Sequence, residues 1–177
     1  MNKTFIIGIA GKKNSGKSTI AQVIARDMDA EELAFADPLK EMAAIVGYND
    51  LYTSPYKKEN LVNPVTNLTL RSFLQQLGTD MMRKANPDVF IQLLQLRLPY
   101  LSIAVVSDVR FKNEADWIKK NGLLIKVVRD ELMDFDSHES ESYIDELEED
   151  YLISNNGAKK DLNFAAKEVV EWIKAEM

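Results

Sequence analysis

The chain has 177 residues, 46% hydrophobic and 28% charged, with a formal net charge of −6. That length supports one domain with a real core, and the acidic balance argues against a general nucleic-acid-binding surface. The absence of cysteine excludes disulfides and thiolate metal sites. No apolar stretch approaches the roughly 18 residues of a membrane span, and no signal-peptide pattern opens the chain, so a soluble cytoplasmic protein is expected.

Residues 4–10 predict a first strand. It runs into Gly11-Lys12-Lys13-Asn14-Ser15-Gly16-Lys17-Ser18, which fits G-x-x-x-x-G-K-[ST] at every fixed position. A helix is predicted over 19–29, where Ile20, Val23, Ile24 and Met28 recur at helical spacing. Strand, glycine-rich loop and helix are what phosphate binding asks for: backbone N–H groups form a nest for anionic oxygens, and the helix adds its positive end. Lys17 would meet the β/γ-phosphates, and the Ser18 hydroxyl would ligate Mg²⁺. The chain is therefore expected to bind a nucleoside triphosphate with Mg²⁺.

Residues 32–36 predict a short strand ending at Asp37-Pro38, followed by a helix over 39–46. Asp37 is either the cap of that helix or a contact to a second substrate, because ligands in open α/β sheets bind beyond the carboxyl ends of strands. Residues 47–67 are polar and interrupted by Pro55 and Pro64; so long a connection is either functional or mobile. Helical spacing returns with Leu70, Phe73, Leu74, Leu77 and Met81. Arg71, Gln75 and Gly78 share the opposite face, which is polar because it is solvated or because it receives a substrate. Gly78 would let a ligand approach closely. Arg71 and Arg83 are candidate phosphate binders.

A further helix is predicted after Asn86-Pro87. The apolar run 101–107, ending in Asp108, has the form of a Walker B strand whose carboxylate holds Mg²⁺, usually through water. Arg110, on the same rim, is a surface ion pair or a clamp on transferring phosphate. A short helix over 113–121, a strand over 123–128, a strand over 152–154 and a C-terminal helix with Leu162, Ala166, Val169 and Ile173 inward complete the pattern. Alternating strands and helices predict a central parallel sheet covered on both faces; with the phosphate loop after the first strand, the expected fold is an α/β, three-layer P-loop NTPase fold.

The acidic stretch 130–150 reads mainly as solvated surface, and it contains the sole histidine, His138. The spacing makes no transition-metal site, calcium loop, Ser-His-Asp triad or dinucleotide fingerprint. This shortage of bases points to a phosphorylated acceptor. A monophosphate has a second pKa of about 6, so it is already nucleophilic at neutral pH and needs positioning and charge neutralisation only.

Several segments together resemble the deoxynucleoside monophosphate kinases of bacteriophages: the phosphate loop, Phe35-Ala36-Asp37-Pro38-Leu39-Lys40, the run from Leu70 to Asp80, Ser107-Asp108-Val109-Arg110-Phe111-Lys112-Asn113-Glu114-Ala115, and His138-Glu139-Ser140-Glu141. The resemblance extends to Asn155-Asn156-Gly157 and implies a P-loop kinase transferring the γ-phosphate of ATP to a (deoxy)nucleoside monophosphate. It implies donor contacts at Gly11, Lys12, Lys13, Asn14, Ser15, Gly16, Lys17, Ser18 and Thr19, with Arg129 and the His138–Glu141 segment in a lid region, and Asn155 to Gly157, Asn156 among the donor contacts, near the donor base. Acceptor contacts would come from Asp37, Lys40, Arg71 and Gln75, and Asp108, Arg110 and Glu114 would line the catalytic floor. One P-loop kinase domain over 1–177 is implied, with a helical acceptor-binding part at about 38–98 and a lid-like excursion at about 129–150.

The excursion is poor in arginine, so Lys12, Lys13 and Arg110 are the substitutes expected to neutralise the transferring phosphoryl group. Small-molecule nucleotides are the expected partners, with no nucleic-acid polymer and no membrane; homodimerisation, and the base and sugar preference, are open. A phosphomevalonate-kinase-like enzyme and a non-catalytic ATP switch are the alternatives.

Overall fold

The computed structural model describes residues 3–49, 53–130 and 143–177. Along the chain run β1 (Phe5–Ala10), α1 (Lys17–Asp27), β2 (Glu31–Leu33), α2 (Asp37–Ile45), α3 (Pro55–Asn60), the short strands β3 (Val62–Asn63) and β4 (Leu68–Thr69), α4 (Leu70–Gln75) and α5 (Val89–Gln95). They are followed by β5 (Ile103–Val109), α6 (Lys112–Asn121), β6 (Gly122–Val128), β7 (Tyr151–Ser154) and α7 (Lys159–Glu176). The chain forms two compact units, Met1–Ala34 with Leu94–Met177, and Phe35–Leu93.

In the first unit five strands pair in the order β2-β5-β1-β6-β7, every pairing parallel. Parallel strands need crossovers, and the helices that supply them cover both faces of the sheet. On one face α1 and α7 pack together over Ile7 and Ile9 of β1, Val105 of β5 and Ile125 of β6, all fully buried. The α1 contribution is the expected stripe of Ile20, Val23 and Ile24; each isoleucine so buried stabilises the fold by roughly 1.5–3 kcal/mol. In α7 the predicted residues Leu162, Ala166, Val169 and Ile173 all face this core. On the other face α6 buries Ala115 and Ile118, and Ile118 lies so close to Gly8 that any β-carbon there would come within 2.7 Å of it. The expected α/β architecture with a central parallel sheet is present.

The second unit contains more regular structure than its composition predicts. Within the segment read as a long connection, Pro55 opens α3, where its missing N–H costs nothing in a first turn. Strands β3 and β4 then form an antiparallel hairpin. Its turn is tied by Asn63, whose side-chain oxygen accepts the Val65 N–H at 2.8 Å. Tyr48, only 5% exposed, hydrogen-bonds the Thr66 hydroxyl at 2.6 Å and donates to the Leu68 carbonyl at 3.0 Å. Its ring packs against Phe73 with centroids 5.1 Å apart. A small core of Ala43, Tyr48 and Leu70 results. Likewise α2 starts at Asp37 rather than at 39, since Pro38 is accommodated in the first turn.

One expectation fails in a way that physics explains. The apolar spacing from Leu70 to Met81 predicts one uninterrupted α-helix, but after α4 the backbone widens into a π-helical segment, Gln76–Arg83. The wider turn shifts the phase of every later side chain, and Met81 is carried out to 57% exposure. Gly78, read as an opening for a ligand, is buried: a β-carbon there would stand 2.8 Å from Leu39 Cδ1. Its missing side chain serves the packing of α2.

Candidate active site

Residues 11–16 turn sharply between β1 and α1, with Asn14 at φ 64° and Gly16 at φ 100° as the left-handed cap of the helix. Two donors converge on the Lys12 carbonyl: the Ser15 N–H at 3.1 Å and the Lys17 ammonium at 2.9 Å. Lys17, the first residue of α1, therefore folds back across its own loop to the loop's first residues. The Ser15 hydroxyl is buried without a hydrogen-bond partner. Lys13, Asn14 and Ser18 are exposed, Gly11 is buried, and Thr19 is half-buried. A turn with left-handed residues at 14 and 16, a helix N-terminus and a half-buried ammonium fits a polyanion.

Asp108 lies inside β5 rather than after it. In the pairing with β1, Gly8 opposes Val106 but Ala10 opposes Val109, so three residues of β5 answer two of β1. The resulting bulge at residues 107 and 108 leaves both half-buried among buried neighbours; bulges of this kind re-aim side chains next to functional sites. Asp108 and Gly11 thus stand at the carboxyl ends of adjacent parallel strands, the rim where ligands bind in open α/β sheets.

Glu114 is 1% exposed. Its Oε2 accepts the Arg110 N–H at 3.0 Å and the Phe111 N–H at 3.1 Å, capping the start of α6 and fixing the backbone that carries Arg110. Glu114→Ala is expected to cost about 1–3 kcal/mol of stability, because two N–H groups lose a buried acceptor; thermal unfolding checks it.

Segment 143–149 supplies contacts that no motif announced. Lys126, in the middle of β6 and 8% exposed, donates to the carbonyls of Asp145 at 3.1 Å and Leu147 at 3.0 Å, with Glu149 Oε2 3.6 Å away. Asp145 in turn places a carboxylate oxygen 2.9 Å from the Lys12 ammonium. The signal for Lys126 was present: a lysine within a run of buried apolar residues must find partners. Of the remaining expected donor residues, Arg129 is exposed. Asn156 exchanges hydrogen bonds with Asp130 (2.9 and 2.5 Å) and reaches the Ser154 hydroxyl at 3.0 Å. Its neighbour Asn155 is the one that reaches the phosphate loop, donating to the Ser15 carbonyl at 2.8 Å. His138, Glu139, Ser140 and Glu141 lie outside the described residues.

In the second unit, Asp37 and Lys40 form an ion pair at 2.8 Å, one turn apart on α2. Arg71 of α4 meets Glu59 of α3 at 3.0 Å, and Gln75 is half-buried. The Arg83 guanidinium stands over the Phe90 ring, 4.7 Å from its centroid.

Among the described residues no helix is long and apolar enough to cross a membrane, and no group of three or more His, Cys, Asp or Glu could hold a metal by itself.

The profile of the deoxynucleotide monophosphate kinase family matches residues 50–165. A protein of Acanthamoeba polyphaga mimivirus that carries that family's name is 32% identical over 171 aligned residues, covering 85% of this chain and 88% of the relative. Among solved structures, shikimate kinase from Aquifex aeolicus aligns with a TM-score of 0.58 at 12% identity, over 97% of this chain and 98% of that one. APS kinase from Mycobacterium tuberculosis, in complex with AMPPNP and APS, aligns with a TM-score of 0.54 at 12% identity, over 98% and 99%. At those identities the likeness concerns the fold alone, that of P-loop kinases. The sequence matches carry the rest: the chain belongs to the deoxynucleotide monophosphate kinase family and is a nucleotide kinase.

Proposed function

We propose that the protein transfers the γ-phosphate of ATP to a (deoxy)nucleoside 5′-monophosphate, with Mg²⁺. Family membership supports the acceptor class. The observation that carries the donor site is the Lys17 ammonium drawn over a loop whose backbone turns left-handed at residues 14 and 16.

Lys17 would hold the outer phosphates of the donor, and Gly11 to Thr19 would cradle them with backbone N–H groups. Lys12, Lys13 and Arg110 would spread positive charge over the transferring group, with Glu114 keeping the Arg110 backbone in place. Mg²⁺, when bound at Ser18 and Asp108, would neutralise and orient phosphate oxygens. Asp37, Lys40, Arg71 and Gln75 are proposed as acceptor contacts, in a helical acceptor-binding part at about 38–98. No side chain is assigned as base. The acceptor phosphate, with a second pKa of about 6, brings its own nucleophilic oxygen, so alignment and charge neutralisation suffice.

A coupled ADP-release assay across dAMP, dGMP, dCMP and dTMP tests this. Turnover stimulated by at least one of them is expected, and none by any nucleotide would overturn it. In the same reading Asp145 competes with phosphate for Lys12. Asp145→Asn is expected to tighten ATP binding by about two- to fivefold, the scale of an exposed ion pair, and less so at high salt; calorimetric titration at two salt concentrations measures it.

A further inference from the structure

The Ser15 carbonyl is held by a residue 140 positions away in sequence. Asn155, directly after β7 and 7% exposed, donates to it from Nδ2 at 2.8 Å. Asn155 is itself fixed, because its backbone N–H donates to the Val128 carbonyl at the end of β6 at 2.8 Å. The carbonyl and N–H of one trans peptide point in opposite directions. A Ser15 carbonyl held toward Asn155 therefore turns the Gly16 N–H the other way. That N–H has no acceptor among the described residues. Gly16 fits tightly against this clamp: a β-carbon on it would lie 2.6 Å from Asn155 Nδ2 and 2.8 Å from Leu162 Cδ2. The buried, unpartnered Ser15 hydroxyl stands in the same turn.

We propose that Asn155 is a positioning residue of the donor site, holding the peptide between Ser15 and Gly16 so that the Gly16 N–H is presented to a phosphate oxygen. This rests on the reading of the loop as the donor-phosphate site. It gives Asn155 a task in the phosphate loop, distinct from contact with the donor base.

The test uses the full chain, with ATP and inorganic tripolyphosphate as separate probes, titrated calorimetrically against the parent and Asn155→Leu, alongside thermal melting. Asn155→Leu keeps approximate size but cannot donate. A folded variant whose affinity falls by the same factor for both probes, about tenfold or more, is the expected result, since tripolyphosphate has no base to contact. A fall for ATP alone would assign Asn155 to the base, and unchanged affinity for both would remove it from the site; either overturns the proposal. Should Asn155→Leu fail to fold, Asn155→Asp, nearly isosteric but an acceptor, is judged by the same criteria. If neither variant folds, Asn155 serves the fold and the proposal is lost. A parent chain that binds neither probe would instead overturn the donor-site reading itself, and this proposal with it.

Discussion

Lys17→Ala is expected to lower acceptor-stimulated turnover by about 10²–10³-fold or more, the scale for removing one preorganised group that stabilises transition-state charge. Folding should hardly change. Lys17 opens α1, where alanine is an excellent helix residue, and one acceptor of its ammonium, the Lys12 carbonyl, keeps the Ser15 N–H. An ADP-release assay and a thermal melt, run together, separate the two effects. A variant with parental kinetics would remove Lys17 from the reaction; a variant that unfolds would make the residue a structural strut.

Gly16→Ala is expected to damage fold and site at once. At φ 100° and ψ 2° an L-residue is strained even in open space. Here the new β-carbon would also press on Asn155 Nδ2 and Leu162 Cδ2, one the clamp on the Ser15 carbonyl and the other part of the α1–α7 core. Neither is the far end of a long, adaptable side chain, so the loop must move. A loss on the order of 3 kcal/mol follows, with ATP binding weakened even where the chain remains folded. Denaturant unfolding gives the first and titration the second; a parental unfolding midpoint would show that the turn tolerates a side chain.

Much of this was open to reading in advance because it is local. The parallel sheet announced itself through alternating apolar runs and helical stripes, and the α1 and α7 residues expected in the core are there. The segment from 47 to 67 was harder, because α3 and a two-residue-stranded hairpin are too short to carry a period. The π-helical turn after Gln75 was invisible for another reason: apolar spacing reports which residues are oily, whereas the hydrogen-bond pattern that displaces Met81 depends on how the backbone packs.

The same division runs through the candidate site. Gly11 to Ser18 is one contiguous run whose chemistry comes from its own backbone and its own lysine, so the order of residues alone determined the loop and led to the ligand class proposed for it. Tertiary structure alone decided what surrounds it. The bulge at Asp108 exists only against β1, Lys126 finds its acceptors only when segment 143–149 comes alongside β6, and Asn155 meets Ser15 only because β7 joins the sheet beyond β6. Those contacts bridge 19 to 140 residues of chain. No periodicity or motif spans such distances; the partners are chosen by strand order and register, which emerge when the whole core packs.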